Sequence, residues 1–146
     1  MSTDTENAQS HADTVSDIYE AFGRGDVEAI LERLAEDVEW EAWDDSYAQR
    51  AGVPWMERRN GREAVRGFFE LIGRFEISEF SVRDMLASDK QVVCEVCIAV
   101  KLPGGGSYRD EELHLWTFDD DGRVVRLRHY TDTAKHIAAA GGEPAA

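Results

Sequence analysis

YRDEELHLWTFDDDGRVVRLRHYT, residues 108–131, is the stretch whose reading decides the fold. Its first eleven residues alternate. Tyr108, Asp110, Glu112, His114, Trp116 and Phe118 fall on one face of a strand, and Arg109, Glu111, Leu113, Leu115 and Thr117 on the other. Asp119 to Gly122 is a run of turn residues too short to hold a crossover helix, so Arg123 to Thr131 returns as an antiparallel partner. Pairing Phe118 with Arg123 gives a register that sets Glu112 opposite His129 and His114 opposite Leu127.

Working outward, Phe75 to Met85 and Gln91 to Leu102 carry strand composition, and Ser88 to Lys90 and Pro103 to Gly106 are the turns that join them to the hairpin. Val38, Trp40 and Ala42 alternate with Glu39, Glu41 and Trp43 as an earlier strand. Before the meander come three amphipathic helices. Val15, Ile18, Tyr19 and Phe22 share the i, i+3, i+4, i+7 spacing with Val27, Ile30, Leu31 and Leu34, and with Val65, Phe68, Phe69 and Ile72. Asp13 or Thr14, Asp26 and Asn60 are the candidate N-caps, and a short helix follows Asp132 or Thr133. Segregated helices and an antiparallel sheet make an α+β fold. The expected organisation is a flexible segment over 1–11, one domain over 12–140 and a disordered tail over 141–146. Asp44 to Arg59 reads as a long irregular loop, either a lid or a packed surface segment.

Composition narrows the partners. Thirty acidic residues against 16 basic give a net charge of −14, and no Lys/Arg cluster exists to neutralise a phosphate backbone, which argues against nucleic acid. With only Lys90, Lys101 and Lys135 as lysines, the acidic excess also fits a surface adapted to high salt. No apolar run is long enough to span a bilayer, so a membrane role is not expected and a cytoplasmic location is. Cys94 and Cys97 form a C-x-x-C string, but on a strand positions three apart face opposite ways, so neither a disulfide nor a shared metal is expected. Gly104-Gly105-Gly106 lacks the helix and Lys-Ser/Thr of a P-loop.

Chemistry concentrates on the mixed face of residues 108–118. A carboxylate such as Glu112 beside His129 would fix the imidazole tautomer and raise its basicity, and His114 would stand diagonally near as a donor or acid. Two histidines beside carboxylates also fit a satisfied structural patch. Zinc binding by His114, His129 and Glu112 suits those residue types but has no spacing motif behind it, so no metal is expected. No cofactor motif is present.

The order of elements resembles the SnoaL-like branch of the nuclear transport factor 2 superfamily. The resemblance runs over residues 12–138, through the Gly-Arg-Gly-Asp junction at 23–26, Ala-Glu-Asp-Val-Glu-Trp at 35–40, Asn-Gly-Arg-Glu-Ala-Val-Arg-Gly-Phe-Phe at 60–69 and the hairpin end at 121–130. It implies a curved sheet wrapping a conical pocket closed by helices, and commonly a homodimer through the sheet. Implied activities range over ketosteroid isomerisation, polyketide cyclisation, epoxide hydrolysis, dehydration and non-catalytic binding. By that resemblance His114 stands where ketosteroid isomerases keep an oxyanion-stabilising Asp, and His129 and Glu112 stand at two limonene epoxide hydrolase positions. The isomerase base corresponds to about Ala42 and its helical Tyr to about Ile18, with Tyr19 one place off. The expectation is a pocket for a small hydrophobic molecule, with His129 as base, Glu112 orienting it, His114 stabilising charge, and Tyr19, Trp40, Trp116, Phe118 and Leu127 lining the space. The alternative is a non-catalytic ligand-binding or assembly module. Capped imidazoles in a filled cavity would favour that module; exposed imidazoles and a Glu112–His129 bond would favour the enzyme.

Overall fold

The computed structural model describes residues 3–145. Helix α1 (Thr3–Gly23) and the short α2 (Val27–Leu31) form the expected helical hairpin, with Asp26 capping α2 through a bond from the Ala29 N–H at 3.1 Å. Strand β1 (Leu34–Trp40) follows, then α3 (Tyr47–Arg50), a single 3-10 turn over Pro54–Met56, β2 (Arg59–Asn60) and α4 (Arg62–Ile72). Strands β3 (Glu76–Ala87), β4 (Gln91–Lys101), β5 (Ser107–Phe118) and β6 (Val124–Tyr130) form the meander, and α5 (Thr133–Ala140) closes the chain.

All six strands join one curved, unclosed sheet in the order β2-β1-β6-β5-β4-β3, antiparallel except where β1 lies parallel to β6. The helices gather on one face. There α1 packs over β3 and β4, α4 over β1 and α5 over β5, so the apolar stripes of the helices meet the inward rows of the strands. The core between them includes Val15, Ile18, Leu34, Trp40, Val65 and Leu127, each at most 2 % exposed. No helix among the described residues is long and apolar enough to cross a membrane.

Several boundaries differ from expectation. The first helix begins at Thr3, not near residue 12, so the expected flexible segment is helical wherever it is described; residues 1–2 lie outside the described residues. Asp4 and Glu6 in the first turn complement the helix dipole, and His11 anchors the extension by stacking on Phe118 with ring centroids 4.1 Å apart. Asp13, an expected cap, instead accepts a bond from Gln9 within the helix. Leu34 belongs to β1, not to the second helix, and α4 is capped by Gly61, with Asn60 in β2. The tail turns back on β5. The Ser107 N–H donates to Glu143 O at 3.0 Å and the Ala145 N–H to Ser107 Oγ at 2.7 Å, with Ala146 outside the described residues.

The β5–β6 register departs from the expected one by two single-residue steps. Gly122 takes φ +79°, which lets the turn close on Asp119 and Arg123 and pairs Phe118 with Val124. A bulge at Val125 then adds a second step, pairing Thr117 with Arg126, Trp116 with Leu127 and His114 with His129. Two steps restore the parity, so the same side chains face inward, but each meets a different neighbour.

The β4–β5 turn is held against α5 by a close backbone approach. A Cβ on Gly106 would stand 1.9 Å from the Ala139 carbonyl oxygen, whereas one on Gly104 would meet nothing within 4 Å. Gly106→Ala should therefore cost about 1–3 kcal/mol through forced separation of turn and helix. Gly104→Ala should stay within about 0.5 kcal/mol, and paired urea titrations compare the two.

Candidate functional site

Strand β5 turns Asp110, Glu112, His114 and Trp116 toward the helices, and all four are buried. In an apolar interior each polar atom needs a partner, and the chain supplies them in one continuous series. The Trp116 indole N–H donates to the Tyr19 hydroxyl oxygen at 3.2 Å, and that hydroxyl is hydrogen-bonded to His114 Nδ1 at 2.7 Å. On the other side of the ring, His114 Nε2–H donates to Glu112 Oε1 at 3.0 Å. From the other side the Trp55 indole N–H donates to His136 Nδ1 at 2.8 Å. The His136 Nε2–H is then shared between Asp110 Oδ2 at 2.9 Å and Glu112 Oε2 at 3.1 Å. Because an indole can only donate, His136 Nδ1 accepts and the ring carries its proton on Nε2. Asp110 Oδ2 also takes the backbone N–H of Asp132 at 3.1 Å.

Burial works against the charged form of Glu112, but the hydrogen bonds from His114 and His136 outweigh it and hold the carboxyl down at about 2. Burial also pushes the Tyr19 phenol well above its ordinary value, which keeps it a donor. For His136 burial opposes the charged ring while Asp110 and Glu112 outweigh it and raise its proton affinity. Charging it, however, puts a proton on Nδ1 against the Trp55 N–H.

His129 stands apart from this series. Its ring lies perpendicular to that of His114, centroids 4.3 Å apart, and its Nδ1 is hydrogen-bonded to Glu41 Oε1. Its Nε2 has no hydrogen-bond partner among the described residues. Burial pushes its pKa down to about 3, so the ring is neutral at pH 7. Glu41 is fully buried and sits in the left-handed region at φ +55°, the one described non-glycine residue there. That conformation turns its carboxylate inward, where strand alternation would send it outward with Glu39. Trp43 Nε1–H donates to its other oxygen at 3.3 Å, and its carbonyl accepts from the Trp43 N–H and from Gln49 Nε2.

These groups border a cavity of about 80 Å³ between the sheet, α1 and α4. Tyr19, Trp40 and Trp116 are in its wall, together with Glu112, His114, His129 and His136. Leu127 and Phe118 are not. Leu127 is packed in the core beside Trp116, its cross-strand partner, and Phe118 stacks with His11 at the far end of β5. The expected Glu112–His129 contact is absent because the register puts His114, not Glu112, across from His129. Glu41, Asp110, His136 and Trp55 were missed. His136 lies on the inner face of the expected last helix, and Trp55 in the segment read as a loop. The one early sign for either was an aromatic residue there.

Asp110, Glu112 and His136 bring ligand-type atoms within 4.8 Å of one another. The donor set does not fit a metal. His136 could coordinate through Nε2 only with its proton moved to Nδ1, where the Trp55 N–H already points.

A family model described as a SnoaL-like domain matches residues 15–127. The chain belongs to that family. Similar solved structures include an NTF2-like protein from Burkholderia xenovorans LB400, 22% identical over 91% of this chain and 97% of that one, with a TM-score of 0.77. TerC, co-crystallised with polyporic acid, is 19% identical over 90% and 98%, with a TM-score of 0.73. Rv0760c from Mycobacterium tuberculosis, in complex with estradiol-17beta-hemisuccinate, is 18% identical over 83% and 92%, with a TM-score of 0.67. No curated protein matches the chain.

The SnoaL-like domain should lose stability in acid partly through Glu112. Its folded pKa of about 2 lies below the ordinary 4.5, so its contribution is complete above about pH 4.5 and is lost as pH falls toward 2. Between pH 6 and pH 3 the wild type should lose on the order of 2 kcal/mol more than Glu112→Gln, read from urea midpoints at the two pH values.

Proposed function

We propose that this SnoaL-like domain binds a compact, largely apolar small molecule in the cavity and moves a proton on it through His129. The observation that carries the proposal is the state of that ring. Nδ1 is tied to a buried carboxylate, and Nε2 is the ring nitrogen left free at the cavity wall. Glu41, not Glu112, orients the base. A carboxylate held in a strained backbone conformation is worth its cost of about 1–3 kcal/mol where geometry must be held firmly. His114 has both nitrogens engaged and acts on charge in the cavity through its position, not as a free acid. That similar folds have been crystallised with polyporic acid and with a steroid hemisuccinate supports a ligand-holding role for the cavity.

The size of the cavity limits the ligand. About 80 Å³ is roughly half the ~150 Å³ space that takes benzene in an engineered cavity, so a larger molecule must displace the partly exposed Phe22, Phe69 or Phe80. The same closeness, with His114 capped by Tyr19 and Glu112, favours the second reading, a binder without catalysis. A thermal-shift screen of compact apolar compounds, followed by NMR of solvent deuterium entering each hit, separates the two. Proton exchange that falls about 10²–10⁴-fold in His129→Gln and less in Glu41→Gln is the expected result. Hits that bind without exchanging leave the non-catalytic reading standing.

A homodimer is also proposed. Leu86, Leu113 and Tyr130 are 65%, 45% and 40% exposed and lie on the sheet face away from the helices, which supports burial of that face against a second copy. Leu113→Glu should shift sedimentation toward the monomer, and a wild type that sediments as a monomer sinks the idea.

A further inference from the structure

We propose that the cavity is a binding site for a compact organic ammonium ion and discriminates against anions. This rests on the cavity being a ligand site, as above, and adds the charge of its ligand. Nine of its nineteen lining side chains are Phe, Tyr or Trp, and none is Lys or Arg. Tyr19, Phe22, Trp40, Phe68, Phe80 and Trp116 approach from α1, α4, β1, β3 and β5, so aromatic rings surround the space from several directions. The face of each such ring attracts a cation.

The polar part of the wall has the same sign. Glu112 borders the cavity as a carboxylate, and its two partners, His114 and His136, reach it through ring N–H groups. Asp110 stands behind His136 and Glu41 behind His129, and no Lys or Arg side chain pairs with any of the three among the described residues. Trp40 Nε1 and Thr131 Oγ1 have no partner, but neighbouring atoms close both off from the open space. The wall presents the lone pair of His129 Nε2, with Nδ1–H turned to Glu41. An ammonium N–H meets an acceptor there. A carboxylate or phosphate would meet a second lone pair at His129 with three buried carboxylates behind the wall, and the Tyr108 hydroxyl is its one uncharged donor among the described residues, at the cost of leaving water.

Isobutylammonium, isobutanol and isobutyrate share one compact skeleton and differ in charge, so they serve as probes. Titrations are followed by the indole N–H NMR signals of Trp40, Trp55 and Trp116. They are run in about 0.5 M NaCl, where a Debye length of only a few Å suppresses attraction to the acidic surface. The expected order is isobutylammonium at least about tenfold tighter than isobutanol, with no measurable binding of isobutyrate. Glu112→Gln should bring the ammonium-to-alcohol ratio toward one. Phe80→Leu, at the partly exposed rim, provides a second variant that removes no hydrogen bond of the buried network and should lower ammonium binding more than alcohol binding. Isobutanol binding as tightly as isobutylammonium overturns the charge selection and leaves the cavity as a ligand site. A preference that survives unchanged in both variants places the cation elsewhere and also overturns it. Failure of all three probes to bind the wild type removes the selection together with the ligand site.

Discussion

A carboxylate held in an apolar interior is the constraint on which the rest of the structure depends. Glu112 keeps its charge because two imidazoles deliver N–H groups to it, and each imidazole is held in place because a group from elsewhere in the chain is hydrogen-bonded to its other nitrogen. Those groups come from α1 through Tyr19 and from the 3-10 turn through Trp55, and one of the imidazoles comes from α5 through His136. One charge therefore fixes how three separate elements dock on β5. Apolar stripes alone would let α1 or α5 slide or rotate at small cost. A shift that broke one link would strand a buried charge or donor, and breaking a buried pair of this kind costs about 3–5 kcal/mol.

The same constraint sorts the histidines by what they can do. His114 and His136 have no nitrogen to spare, so they are fixed parts of the wall. His129, across from His114 on β6, has its own carboxylate in Glu41 and one nitrogen left over. The two systems touch through the perpendicular His114 and His129 rings but share no hydrogen bond. That separation matters chemically. A base whose proton inventory is independent of the structural network can gain and lose a proton without loosening the helices around it.

How much of this could be read beforehand follows from which signals are local. Helical stripes such as Val65, Phe68, Phe69 and Ile72, and the inward row Asp110, Glu112, His114 and Trp116, depend only on the period of the side chains, and both stand where the pattern put them. Which residue faces which across β5 and β6 depends on a glycine in the left-handed region and on a bulge at Val125. Nothing in the run Arg123-Val124-Val125-Arg126 marks one valine as the extra residue. Glu41 is harder still. A glutamate at positive φ has no compositional signature, and alternation argued that it faced solvent. Trp55 and His136 are eighty-one residues apart, and only the folded chain brings them together. Leu34 completed a helical stripe in sequence, but α2 ends at Leu31 and the valine-containing run after it pairs with β6 instead.

The acidic balance of the chain acts at two depths with different physics. Surface carboxylates such as Glu28, Glu63 and Asp45 are paired with arginines in exposed bridges, and at a net charge of −14 the excess spreads over the shell. Such a field reaches about 8 Å at physiological salt and raises the local concentration of cations near the surface, so its effect is on encounter rates and weakens as salt is added. Glu112, Asp110 and Glu41 lie where counterions cannot follow. Their influence on what occupies the cavity is an equilibrium preference that salt barely touches. Attraction by the shell therefore fades with salt while retention by the wall persists, and only the second reports on the chemistry for which the interior is arranged.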